Sequence, residues 1–191
     1  MDAIETKRLF LDKWNVRKDA KALFAYATDP QVGPNAGWAS HVTLKDSKLR
    51  IKKLFIPNNT WKITLRDEGV AIGSIGFEKD PRRIDVRGLE LGYSLARKYW
   101  GKGIMTEAAF AVVDYAFKNT DVEIISITTS PHNERSKRVI EKLGFIYEGC
   151  LRYSYRIYDG SVRDTMVYSM TGEEWENVKK QANKDECRKT P

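Results

Sequence analysis

Lys98-Tyr99-Trp100-Gly101-Lys102-Gly103-Ile104-Met105-Thr106-Glu107 is a turn with two glycines that runs straight into a stretch of helical apolar spacing. The first N–H groups of a helix have no acceptor within it, and with the positive end of the helix dipole they form an anion site. Glycines at 101 and 103 let an anion reach the backbone without meeting a Cβ, so a diphosphate suits the segment. Two better-known phosphate loops are excluded. No GxxxxGK followed by Ser or Thr occurs. A dinucleotide fingerprint needs a third glycine where Thr106 stands and a strand directly before the turn, whereas Ala96 to Trp100 intervene.

Elements on either side of the turn follow from periodicity. Upstream, Thr6 to Leu11 reads as a strand, and Asp19 to Thr28 as a helix with Ala20, Leu23, Phe24 and Ala27 on one face. The stretch Gln31 to Val42 reads as a loop, and Thr43 with Asp46 as a capping box for a helix to about Phe55. Trp61 to Leu65 and Val70 to Phe77 form a hairpin around Asp67-Glu68-Gly69, and Leu89 to Leu95 is a further strand. Downstream come a helix from Thr106 to Phe117, a strand from Glu123 to Thr129, and a helix from Asn133 to Leu143 that stops at Gly144. Phe145 to Glu148, Tyr153 to Tyr158 and Arg163 to Ser169 read as strands, the last two joined by an Asp159-Gly160 turn. Thr171 and Glu174 then cap a final helix. Strands first, then β-α-β-α, then a hairpin, predicts an α/β fold whose mixed sheet has helices on both faces.

A chain of 191 residues with no internal change of composition reads as a single domain over residues 1–178, with residues 179–191 as a polar, mobile C-terminal tail. Its formal charge of +7 suits acidic partners such as nucleic acid, membrane headgroups or a polyphosphate, or it is simply a solvated lysine surface. Cys150 and Cys187 lack CxxC spacing and the density of a disulfide scaffold, which points to reduced thiols in a cytoplasm. The N-terminus lacks a signal-peptide layout and no run is long enough to span a membrane, so no membrane partner is expected. His41 and His132 stand alone, so no metal site is expected.

Beyond the turn, a second motif follows after one intervening strand: Asn133-Glu134-Arg135-Ser136, continuing to Leu143-Gly144-Phe145. In this order the two motifs resemble the GCN5-related N-acetyltransferase (GNAT) family. Its pyrophosphate motif is matched by Lys98-x-x-Gly101-x-Gly103 except for lysine at the first position, and its Asn-x-x-Ser/Ala helix by the second segment. Glu5-Thr6-Lys7-Arg8-Leu9 and Trp100-Gly101-Lys102-Gly103 narrow the likeness to the branch that includes ribosomal-protein N-terminal acetyltransferases, over roughly Glu5 to Met170. The resemblance implies a mostly antiparallel sheet, acetyl-coenzyme A as co-substrate without a metal, and transfer of its acetyl group to a primary amine, either a protein N-terminus or a small amine.

The resemblance also implies site residues. Glu90 stands where the family often has the carboxylate that accepts the amine's proton; such a base works near neutrality when apolar surroundings raise its proton affinity. The bland alternative is a glutamate paired with a nearby cation. Ser136 takes the place of the donor to the leaving thiolate, since the tyrosine that many members carry four residues later is Ile140 here; a first-turn helix serine is the alternative. Asn133 contacts the pantetheine arm or caps its helix. Backbone groups of Tyr93, Ser94, Leu95 and Ala96 run beside pantetheine, and Lys98, Tyr99, Trp100, Gly101, Lys102, Gly103, Ile104, Met105 and Thr106 hold the pyrophosphate. Trp38, Tyr153 and Tyr155 border the acceptor. A rival of another class is a non-catalytic module of the same fold on RNA or ribosome, stacking through Tyr153, Tyr155 and Tyr158 between Arg152 and Arg156. The joint presence of Glu90, Gly101 and Gly103 favours the enzyme.

Overall fold

The strand signals pair into one sheet in a computed structural model that describes residues 2–187. Its strands are β1 (Ile4–Glu5), β2 (Leu9–Lys13), β3 (Trp61–Leu65), β4 (Ala71–Lys79), β5 (Gly88–Leu95), β6 (Ile124–Thr129), β7 (Ile146–Arg156) and β8 (Val162–Thr171). They lie in the order β1-β2-β3-β4-β5-β6-β8-β7, antiparallel throughout except for the parallel pair β5 and β6. The helices are α1 (Val16–Ala27), α2 (Leu44–Arg50), α3 (Ile104–Asn119), α4 (Glu134–Lys142) and α5 (Gly172–Cys187).

Alternation along β4 and β5 puts the two helix layers on opposite faces. Ser74 and Ser94 are cross-strand partners, joined at 2.8 Å, on the face that meets Tyr26 of α1. The neighbouring Tyr93 points the other way, to Ser136 of α4. Between the layers lies a continuous core in which Leu9, Leu11, Ile63, Ile75 and Ile125 of the strands and Ala108, Ala109 and Val112 of α3 are all shut off from solvent.

Local signals terminate the helices. Asn15 Oδ1 accepts the amides of Arg17 and Lys18 at the start of α1, and Thr43 with Asp46 completes a capping box on α2. Gly144, at φ +78°, ends α4. Thr171 and Glu174 form the expected reciprocal cap on α5.

Three expectations change. Thr6 to Arg8 is a turn between β1 and β2 rather than the start of a strand, because Thr6 Oγ accepts the Leu9 amide at 3.0 Å while Thr6 and Arg8 both reach out to Glu107. The helix expected to run from Thr43 to Phe55 is α-helical only to Arg50 and continues as a π-helical turn over Ile51–Phe55. The two strands read at Phe145 to Glu148 and Tyr153 to Tyr158 are one strand, β7. Irregular register near Gly149 and at Tyr153 (φ +54°) interrupts the alternation that periodicity relies on. At the C-terminus, α5 is helical through Cys187, and residues 188–191 of the expected tail lie outside the described residues. No helix among the described residues is long and apolar enough to cross a membrane.

Candidate active site

Gly101 and Gly103 both adopt φ +72°, the left-handed conformation that glycine alone takes without strain. A Cβ built on Gly101 would meet nothing within 4 Å, so this backbone is open to a ligand. Gly103 is the N-cap of α3 and offers no side chain, which leaves the first amides of α3 uncapped. Across the opening, Arg135, Arg138 and Lys142 of α4 line the same cavity, with the Arg135 guanidinium 4.4 Å from the ring centre of Trp100. Uncapped amides, a dipole end and three cations suit a polyphosphate.

The turn is braced from the N-terminus. Glu107 accepts Thr6 Oγ at 2.6 Å, the Arg8 amide at 2.9 Å and Arg8 Nε at 2.6 Å, while Arg8 Nη1 donates to the Lys102 carbonyl at 2.9 Å. Burial alone would raise the Glu107 carboxyl, but these hydrogen bonds hold it below the usual carboxylate range.

A cavity of about 890 Å³ opens where β5 and β6 part. The two strands pair only from Gly88 to Glu90 with Ile124 to Ser126, so the edge of β5 from Leu91 to Leu95 has no strand beside it. The Leu95 carbonyl is taken by Trp100 Nε1 at 2.8 Å. The rest of that edge is a template for an extended ligand.

Glu90 lies at the last paired position, and its carboxylate accepts Arg82 Nη2 at 2.9 Å and the hydroxyl of Thr128. Arg82 in turn contacts Asp80 at 2.9 Å and Ser126 Oγ at 3.2 Å. The surroundings of Glu90 are therefore polar, not the apolar setting expected from its strand neighbours. Ser136 sits in the first turn of α4, its amide donating to Asn133 Oδ1 at 3.2 Å and its hydroxyl 2.8 Å from Tyr93 Oη. Burial pushes the Tyr93 phenol up to about 12 against the opposing hydrogen bond with Ser136, so it keeps its proton at neutral pH. Glu90, Tyr93 and Ser136 all line the one cavity.

Residues 8–146 match the family described as Acetyltransferase (GNAT) domain. The chain belongs to this family. It is 29% identical over 182 residues to an uncharacterized N-acetyltransferase, p20, of Bacillus licheniformis, covering 92% of this chain and 99% of that one. It is 34% identical over 109 residues to the ribosomal protein uS5-alanine N-acetyltransferase of Escherichia coli, 57% of this chain and 55% of that one. A solved GNAT-family acetyltransferase from Bacillus anthracis superposes with a TM-score of 0.80 at 26% identity, over 91% of this chain and 100% of that one. The GNAT chain is accordingly an acetyl-coenzyme A-dependent N-acetyltransferase with the expected mostly antiparallel sheet.

Of the residues expected to hold the cofactor, Tyr93, Ser94, Leu95, Tyr99, Trp100, Gly101, Gly103 and the first turn of α3 line the cavity of this N-acetyltransferase, whereas Ala96, Lys98 and Lys102 do not. The Ala96 amide turns inward to the Ile72 carbonyl at 2.8 Å, and the ammonium groups of Lys98 and Lys102 sit over the Tyr99 ring. Asn133 lines the cavity, but its amide is committed to the α4 cap and, at 3.4 Å, to the Asn35 carbonyl. Of the residues expected at the acceptor, Trp38 and Tyr155 line the cavity, with the Tyr155 ring against Gly37. Tyr153 does not; it is 76% exposed on the irregular part of β7. Nothing local in the sequence singles out Arg50, Arg82 or Thr128. The cations of α4 had a signal in their spacing of three and seven along one helix face.

Proposed function

We propose that this N-acetyltransferase passes the acetyl group of acetyl-coenzyme A to a primary amine by direct attack, with Glu90 as general base and the Ser136–Tyr93 pair at the leaving sulfur. The observation that carries this reading is that Glu90 and the Ser136–Tyr93 pair open onto one cavity, where β5 and β6 part, with the open glycine turn on its wall.

Bound acetyl-coenzyme A supplies an activated acetyl thioester. The amides of Gly101, Gly103 and the first turn of α3 take its pyrophosphate, helped by Arg135, Arg138 and Lys142. The free edge of β5 pairs with the pantetheine arm as an added strand, and one of its amides donates to the acetyl oxygen as negative charge develops there. Glu90, oriented by Arg82 and Thr128, takes the proton of the incoming amine directly or through one water. Ser136 donates to the sulfur, and Tyr93, neutral at working pH, fixes the serine rotamer and backs that donation. Cys150 is exposed and does not line the cavity, which supports transfer without a covalent enzyme intermediate.

The acceptor class favoured is a protein N-terminus. The Escherichia coli relative acts on an alanine of ribosomal protein uS5, and the likeness to it supports a similar acceptor here. Thiol release from acetyl-coenzyme A, measured over peptides that begin with Ser, Ala or Thr and over polyamines, drug amines and free amino acids, tests this. Preference for one or more of the peptides is the expected result, and turnover confined to small amines would overturn the choice of acceptor.

A further inference from the structure

Arg50 stands where α2 gives way to the π-helical turn Ile51–Phe55, which closes through the Ile56 amide on the Ile51 carbonyl at 3.0 Å. Such wide turns recur at functional sites because they re-aim a side chain without ending the helix. Here the guanidinium is directed against Trp38, 5.0 Å from its ring centre, and Phe55, 5.7 Å away, and it lines the cavity that holds Glu90.

Arg50 has no counter-charge in contact. Among the described residues no carboxylate lies within ion-pair distance of it, and its buried Nε has no hydrogen-bond partner. Arg82, in the same cavity, is matched by Asp80 and Glu90, and Arg163 donates to the Pro34 carbonyl at 2.9 Å. Burial lowers the pKa of Arg50, with more distant Tyr26, Glu78 and Tyr155 acting the other way. Glu78 is itself engaged by Asn58 Nδ2 at 3.1 Å. A half-buried guanidinium is costly without a partner and is well shaped for a carboxylate, which it grips with two parallel N–H donors.

Half of the floor beside it is open. Gly76 faces Gly92 across β4 and β5, between the pairs Ser74/Ser94 and Glu78/Glu90 on the same face. A Cβ on Gly92 would meet nothing within 4 Å. A Cβ on Gly76 would stand 2.9 Å from the Thr60 Cα, so Thr60 covers that half of the floor; the Gly92 half of the face that carries Glu90 is bare, and Arg50 belongs to the wall of the same space.

We propose that Arg50 anchors a carboxylate of the acceptor, so that this enzyme selects amines carrying an acidic group near the reacting nitrogen. The inference rests on the reading above that the acceptor occupies this cavity. The carboxylate has two sources, the α-carboxylate of a free amino acid or an acidic side chain just after a peptide's N-terminal amine.

The test compares matched acceptors: alanine with alaninamide, and Ala-Asp-Gly-amide with Ala-Asn-Gly-amide, by kcat/KM for thiol release. One acidic member is expected to lead its neutral twin by about 10-fold to 100-fold, and the pair in which this occurs names the source. Arg50→Gln is expected to collapse that ratio towards one, and Arg50→Glu to turn it in favour of Ala-Lys-Gly-amide, with calorimetric coenzyme A affinity confirming that each variant is folded. Equal rates for both twins in the wild type, which need no variant at all, would overturn the proposal, as would a ratio that survives in Arg50→Gln. A wild type that releases no thiol with any amine counts against the proposed reaction rather than against Arg50. Calorimetry of N-acetylalanine against N-acetylalaninamide, and of the two acetylated peptides, in the presence of coenzyme A then decides the point. An Arg50-dependent preference for an acidic product of about 10-fold or more upholds the proposal, and no preference ends it.

Discussion

The phenol of Tyr93 and the hydroxyl of Ser136 stand 2.8 Å apart, one on β5 and the other on the first turn of α4, so a single hydrogen bond ties the cavity's strand edge to its helix wall. Because either hydroxyl can donate to the other, the two can act as one hydrogen-bonding unit.

If the pair acts as a unit, Tyr93→Phe and Ser136→Ala should each lower turnover by about 10-fold with coenzyme A affinity nearly intact, and the double variant should lose little more than either. Ser136→Ala should also cost roughly 1–3 kcal/mol of stability by leaving the phenol short of a partner. Single-turnover rates and thermal melts of the three variants check this; multiplicative losses in the double variant would separate the two residues.

Gly101→Ala should be strained by about 1–2 kcal/mol at its positive φ even though the space beside it is empty. If the turn takes the pyrophosphate as proposed, coenzyme A affinity should fall further than that stability loss explains, since the new Cβ would enter the open space beside Gly101. Calorimetry alongside thermal melts separates the two effects.

The Arg8–Glu107 brace sets a pH dependence. Glu107 has a lowered native pKa, so its contribution to stability is fully present above the ordinary glutamate pKa and is lost as pH falls through the native value. Glu107→Gln should therefore cost about 1 kcal/mol at neutral pH, allowing for the exposure of Arg8. The gap between the two proteins should close as melts are carried into the acid range.

Neutralising Arg135, Arg138 and Lys142 together should weaken coenzyme A binding about 10-fold or more at low salt and progressively less as salt is added. Calorimetry at two ionic strengths measures the difference.

Much of this site was readable as sequence because its parts are local. The glycine turn, the capping residues and Gly144 each declare themselves within a few positions, and their order along the chain decides the fold. What was hidden depends on distant contacts. Periodicity says that Glu90 and Tyr93 lie on opposite faces of one strand, but not that Arg82 and Thr128 meet the first or Ser136 the second. Tyr153, expected at the acceptor with Tyr155, stands outside the cavity because β7 is irregular between Leu151 and Tyr155. The Glu5-to-Leu9 segment belongs with the glycine turn for a reason that only the fold supplies, the three hydrogen bonds from Thr6 and Arg8 to Glu107.

Glu90→Gln keeps the side chain's shape while removing its capacity to take a proton. Thiol release by the wild type and by this variant, on the best amine of the acceptor panel and at saturating acetyl-coenzyme A, should differ by about 100-fold to 10,000-fold, with coenzyme A binding by calorimetry unchanged. Equal turnover and equal pH profiles for the two proteins would return Glu90 to the role of an ion-pair partner for Arg82 and overturn the proposed chemistry.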